Sequence, residues 1–138
     1  MLKVFIYLFI VTILFSFSGC NDYTHGVYEL SIEAELISND SVGNDWIKTY
    51  TCDGKTITDG DQWTVPLETT KTILINATIT ENDKWNDVGN GSIEVDLIDD
   101  YKTTSQITVT ENKGRYKGNQ AIWEITYKVK LVGKLSDG

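Results

Sequence analysis

Three carboxylates, two amides and a tryptophan crowd into Glu81-Asn82-Asp83-Lys84-Trp85-Asn86-Asp87-Val88-Gly89. Oxygen donors at this density suit a hard cation such as Ca²⁺, which takes about six to eight oxygens in a flexible arrangement. The same residue types also build ordinary turns, because Asn, Asp and Gly tolerate turn geometry. Further aspartates stand in other polar stretches, at Asp40, Asp45, Asp59 and Asp61. Whether these groups meet depends on the elements between them.

Those elements have a period of two. Tyr28, Leu30, Ile32, Ala34 and Leu36 alternate with Glu29, Ser31, Glu33 and Glu35, the pattern of a half-buried strand with a wet outer face. Trp46 to Cys52 and Lys55 to Thr58 flank Asp53-Gly54, a strong two-residue hairpin signal. A short strand over Gln62 to Leu67 contains the single proline, Pro66, which places it at a sheet edge or ends it there. Lys71 to Thr80, Ser92 to Ile98, Thr104 to Thr110 and Ala121 to Leu131 complete the set, the last with Trp123 in its apolar stripe. No helical period and no internal repeat interrupts them. Residues 27–132 therefore predict an all-β domain, an antiparallel β-sandwich of about eight strands, with 133–138 as a loose tail.

If successive strands run antiparallel, their connections alternate between the two ends of the sandwich. The loops at 38–45, 59–61, 81–91 and 111–119 then share one end, and those at 53–54, 68–70 and 99–103 the other. Asp40, Asp45, Asp59, Asp61, Glu81, Asp83 and Asp87 would all project from the first end. Clustered like charges raise one another's pKa values and destabilise a fold. A bound Ca²⁺ would offset that cost, and so would Lys113, Arg115 and Lys117 in the last loop of the same end.

The N-terminus is a targeting segment rather than part of the fold. Lys3 precedes an apolar run from Val4 to Phe17, broken only by Thr12 and Ser16. The run is shorter than the roughly 20 apolar residues a membrane span needs. Phe17-Ser18-Gly19-Cys20 resembles the lipobox of bacterial lipoproteins, although Phe17 stands where an aliphatic residue is usual. The resemblance implies a signal peptide over 1–19, cleaved before Cys20, and a lipidated Cys20 at the head of a polar tether over 20–26. It implies a bacterial cell-envelope protein, extracytoplasmic and held to the membrane by its lipid. Cys52 is then left without a disulfide partner, and His25, the single histidine, falls in the spacer. The chain carries a formal net charge of −8, one unit more negative once Lys3 leaves with the signal. Such a domain has no electrostatic footprint for nucleic acid.

The domain also resembles the calcium- and phospholipid-binding β-sandwich known as the second conserved region of protein kinase C. Leu30-Ser31-Ile32-Glu33-Ala34-Glu35-Leu36 is similar to that family's opening strand. Asn39-Asp40 and Asp45-Trp46 fall where its first loop carries aspartates, and Glu81-x-Asp83-x-x-x-Asp87-Val88-Gly89 resembles its third loop. The resemblance implies Ca²⁺ ligands at Asp40, Asp45, Asp83 and Asp87, with Glu81 in place of an aspartate. The spacing to Asp87 is one residue short, and the proline after the first-loop aspartate is absent.

Catalysis has little to work with. The strands and their loops hold no histidine, no cysteine pair, no nucleophile with a base and no glycine-rich phosphate loop. The expected role is a surface-tethered binding or adhesion domain for an extracellular or periplasmic ligand, stabilised by Ca²⁺ at the acidic end. Two other readings stand beside it. One is recognition of carbohydrate or peptide through loop aromatics, Trp85 and Tyr116, unless Trp85 folds back to cover the sandwich end. The other is an accessory subunit docking a partner through a sheet edge, without metal. The first strand carries the chain about 35 Å from its anchor at roughly 3.3 Å per residue, while the tether reaches only about 20 Å. The acidic loops are therefore expected to face away from the protein's own membrane.

Overall fold

A computed structural model describes residues 22–137. Cys20 and the expected signal segment over 1–19 lie outside the described residues. Eight strands form the domain: β1 (His25–Asn39), β2 (Trp46–Cys52), β3 (Lys55–Ile57), β4 (Gln62–Pro66), β5 (Thr72–Glu81), β6 (Asp87–Asp96), β7 (Tyr101–Thr110) and β8 (Gln120–Leu135). They make two four-stranded sheets, ordered β4-β1-β8-β7 and β3-β2-β5-β6, with every neighbouring pair antiparallel. The predicted all-β sandwich is the observed architecture.

Alternation builds the core. Leu30, Ile107, Val109, Trp123, Ile125, Tyr127 and Val129 face inward from one sheet, and Ile73, Ile75, Ala77, Ile79 and Val95 from the other. Cys52 is buried beside the Asp53-Gly54 turn, and both turn residues have positive φ, 50° and 73°, as that hairpin requires. Pro66 ends the short edge strand β4, where a missing N–H costs no ladder bond. Outside, polar cross-strand pairs face water, among them Thr72–Asp96 at 2.6 Å, Asn76–Ser92 at 2.7 Å and Thr78–Asn90 at 2.8 Å.

The two long sides of the sandwich differ. Along one, β6 and β7 face each other, and two inward glycines let them come close. A methyl group at Gly89 would sit 2.6 Å from the Thr108 carbonyl oxygen, and one at Gly91 would sit 3.1 Å from Ile107. Along the other side, β3 covers only Tyr50 to Cys52 of β2, and β4 covers only His25 to Glu29 of β1. Ile32, Ala34, Trp46 and Tyr50 are left half-buried there.

Several boundaries differ from the sequence expectation. The strand expected from Val27 starts at His25 and takes in two residues of the polar stretch before it. The last strand runs to Leu135, because Gly26 and Lys134 pair across the long β1–β8 ladder; only 136–137 follow it among the described residues. The strand expected from Ser92 begins at Asp87, and the acidic loop shrinks to 82–86. The 58–61 connection lies alongside the middle of β1, since β3 and β4 are both too short to reach an end. There Asp59 accepts from the Ile32 N–H at 2.8 Å, Asp61 Oδ2 accepts from Thr58 N–H at 2.9 Å, and the Asp61 carbonyl accepts from Leu30 N–H. Asp59 and Asp61 thus cap backbone on the open side and do not belong to the acidic end.

Gly89→Ala is expected to cost about 1–3 kcal/mol, the usual penalty for forcing volume into a packed site. Gly133→Ala, whose added methyl would meet Val27 at an ordinary 3.7 Å, is expected to be nearly neutral. Urea unfolding of the two variants side by side checks this.

Candidate functional site

The acidic end is built on one cross-strand row. Trp46 pairs with Glu81, and Glu81 pairs with Asp87, so the first residue of β2, the last of β5 and the first of β6 stand abreast. Glu81 continues the inward series Ile75, Ala77, Ile79, and Asp87 shares the inward face of β6 with Val95. Two acids therefore occupy positions that the strand period assigns to apolar side chains. Glu81 is 3% exposed and Asp87 is fully buried at 0%. Directly opposed side chains lie with Cβ atoms about 4.5–5.5 Å apart, and like charges in that arrangement destabilise a sheet.

Their hydrogen bonds are incomplete. Asp87 Oδ1 accepts from the Asn112 N–H at 2.8 Å, but among the described residues Oδ2 has no partner. Glu81 Oε2 is also buried without a partner. Removing a carboxylate from water is costly unless it is paired and hydrogen-bonded. Trp46 packs edge-on against Trp123 of the other sheet, with ring centroids 5.4 Å apart, so an indole pair stands beside Glu81 at the edge of the row.

Three loops close over this row. In the first, Asn39 Oδ1 accepts from Val42 N–H at 2.9 Å and Asn39 Nδ2 donates to the Gly43 carbonyl at 2.6 Å. That turn drives Val42 into the core and lays Gly43 (φ 140°) against Glu81, where a Cβ would collide with the carboxyl. Asn82 ties the second loop to the first through Asp45, its N–H donating to the Asp45 carbonyl at 2.7 Å and its Nδ2 to Oδ2 at 3.0 Å. Asp83 Oδ1 accepts from Trp85 N–H at 2.6 Å, a local turn bond. The third loop brings Asn112 to Asp87 and places the half-buried Glu111 beside it.

Of the sequence-predicted ligands, Glu81, Asp83 and Asp87 come together, with Asp45 at the margin. Asp40 does not join them: its side chain is exposed and its backbone N–H bonds Gln120. Glu111 was not among the expected ligands. It heads the 111–119 loop, which lies at this end as expected and whose three cations follow it in sequence. Those cations do not neutralise the acids. The ion pairs within 4 Å among the described residues are His25–Asp137 and Lys128–Glu33, neither at this end. Arg115 instead lies over the Tyr116 ring at 5.7 Å, and Lys84 over the Trp85 ring at 4.6 Å. Trp85 is 47% exposed, so it does not fold back to cover the sandwich end.

Electrostatics follow from this geometry. Burial pushes the Glu81 carboxyl above its usual range, the Asp83 charge adds to that, and a hydrogen bond from the Asp45 backbone opposes it. The charges of Asp87 and Asp45 raise it further. Glu111 is raised first by burial, then by the charges of Asp87 and Asp83, and by a hydrogen bond its protonated form makes to Asp87. Among the described residues, no three His, Cys, Asp or Glu side chains lie close enough as placed to hold a metal ion. The pair at the heart of the row is preformed; a full ligand shell would require the outer acids to turn inward.

A carboxyl whose pKa is higher in the folded than in the unfolded state contributes stability below its unfolded value, and loses it as pH rises through the folded one. With EDTA present, the melting temperature is therefore expected to rise as pH falls from 7 towards about 4.5, the ordinary glutamate range. Glu81→Gln is expected to flatten that rise; an unchanged pH profile in the variant would show that Glu81 is not its source. Comparison with known proteins returns no matching family model, no matching curated protein and no matching solved structure, so the chemistry of this end is what speaks to function.

Proposed function

We propose that the chain is a lipid-anchored extracytoplasmic binding domain of a bacterial envelope, with Ca²⁺ held at its membrane-distal end. One observation carries the metal: the fully buried Asp87, with an unpartnered oxygen, stands directly opposite the buried Glu81, which has another. A divalent cation would satisfy both oxygens and remove the repulsion between them. An all-oxygen set favours a hard ion over zinc or copper. Ca²⁺ also accepts irregular shells completed by carbonyls and water, which suits a site where Asp83 and Asp45 approach from loops. The resemblance of the 39–46 and 81–89 segments to calcium-binding loops supports the same choice.

The anchor supports the orientation. β1 runs from His25 to Asn39, 15 residues, or up to about 50 Å from the chain's entry to the acidic loops. A domain hung from Cys20 would present those loops outward, towards a ligand rather than towards its own membrane. The exposed rings of Trp85 and Tyr116 lie in the same loops, and they favour a second reading in which this end recognises a sugar or peptide.

The test is thermal unfolding of the full chain in detergent, with EDTA or with millimolar CaCl₂. A ligand present at about 100 times its Kd stabilises the native state by about 2.7 kcal/mol, so a rise of several degrees is expected. Absence of any shift would remove calcium from the proposal. Asp87→Asn is expected to abolish the calcium shift while leaving the EDTA melting temperature equal or higher. For the second reading, Trp85→Ala is expected to reduce retention on immobilised glycans with little change in melting temperature.

A further inference from the structure

We infer that Glu111, entering from the β7–β8 loop, is a ligand of the same ion, so that the cation bridges the two sheets instead of sitting within one. The inference rests on the calcium reading above and adds a ligand that neither sequence spacing nor resemblance points to.

The backbone makes the placement. Gly91 and then Gly89 bring β6 against β7 at Ile107, Thr108 and Val109. Continuing that approach by two residues carries Asp87 to the start of the β7–β8 loop, where its Oδ1 takes the Asn112 N–H at 2.8 Å. The neck of that loop is fixed: Glu111 N–H donates to the Asn119 carbonyl at 2.9 Å, and Gly118 N–H donates to the Glu111 carbonyl at 2.9 Å. Glu111 therefore stands one residue from the backbone contact to a wholly buried carboxylate, whose second oxygen has no partner among the described residues while Glu111 is ionised.

Asp87 on β6, Asp83 in the 82–86 loop and Glu81 on β5 are the charges that act on Glu111, and all are acidic. Among the described residues, no lysine or arginine makes an ion pair within 4 Å of any of these four acids. A carboxylate among carboxylates, left without an ion-pair partner of the protein's own, would serve an added cation once its side chain turns inward. Glu81 and Asp87 belong to the β3-β2-β5-β6 sheet, whereas Glu111 follows β7 of the other sheet. An ion bound by all three would cross-link the sandwich at its upper rim.

The experiment titrates Ca²⁺, and Tb³⁺ as its luminescent substitute, into the full chain in detergent. Trp46, the cross-strand neighbour of Glu81, is close enough to the row to sensitise terbium emission. In Glu111→Gln, the Kd for both ions is expected to rise about tenfold or more, because ligand charge count sets Ca²⁺ affinity. The EDTA melting temperature of that variant is expected to stay at or above wild type, which shows that it folds. Glu35→Gln, on the outer face of β1, is expected to keep wild-type affinity. If wild type binds and Glu111→Gln binds equally well, the inference is overturned and the calcium reading stands. If wild type itself binds neither ion, both fall together.

Discussion

The constraint on which this domain depends is the placement of Glu81 and Asp87 side by side in the buried top row of a sheet. Everything around them is arranged as if to close an apolar sandwich. An indole pair stands beside them, Val42 is buried in the core, and two glycines draw β6 against β7. A fold of this size has only about 5–15 kcal/mol of net stability. Leaving two opposed carboxylates with bare oxygens inside it consumes a substantial share of that margin. A proton on one of them or a cation between them relieves the cost, and the elevated pKa values of Glu81 and Glu111 express the first of those routes.

Much of this was legible in the sequence. The strands announced themselves by alternation, because each sheet has one dry face, and Asp53-Gly54 and Pro66 marked a hairpin and an edge for reasons local to the backbone. That the 38–45, 81–91 and 111–119 loops share one end followed from counting antiparallel strands. That count failed at 58–61 because it assumed strands of equal reach. β3 has three residues and β4 has five, so their connection turns partway down the sandwich and spends its aspartates on the backbone of β1.

Glu81 and Asp87 illustrate a subtler limit. Both were singled out, but as loop residues, because an acid at the end of an apolar alternation is ordinarily taken to mark the end of the strand. Their burial is a tertiary fact: it needs the opposite sheet, the Asn39 turn and the β7–β8 loop all in place. Glu111 was hidden for a related reason. Its neighbour is Asp87, twenty-four positions earlier, and the two meet only because Gly89 and Gly91 shorten the gap between sheets that share no hydrogen bonds there. Both glycines fall in the expected 81–91 loop; in the fold they lie on β6 and are a point of close contact.

The long β1–β8 ladder has a mechanical consequence. The chain enters at the foot of β1 and the last described residues lie at the foot of β8, while the acidic loops crown the opposite end. If the chain is anchored through Cys20 as proposed above, a pull on those loops would load β1 along its length. The pairs from His25–Leu135 to Asn39–Ala121 would then be sheared together instead of unzipped one at a time. Shear shares force among many backbone bonds at once, so the element that sets the reach of the domain also makes it suited to bearing tension.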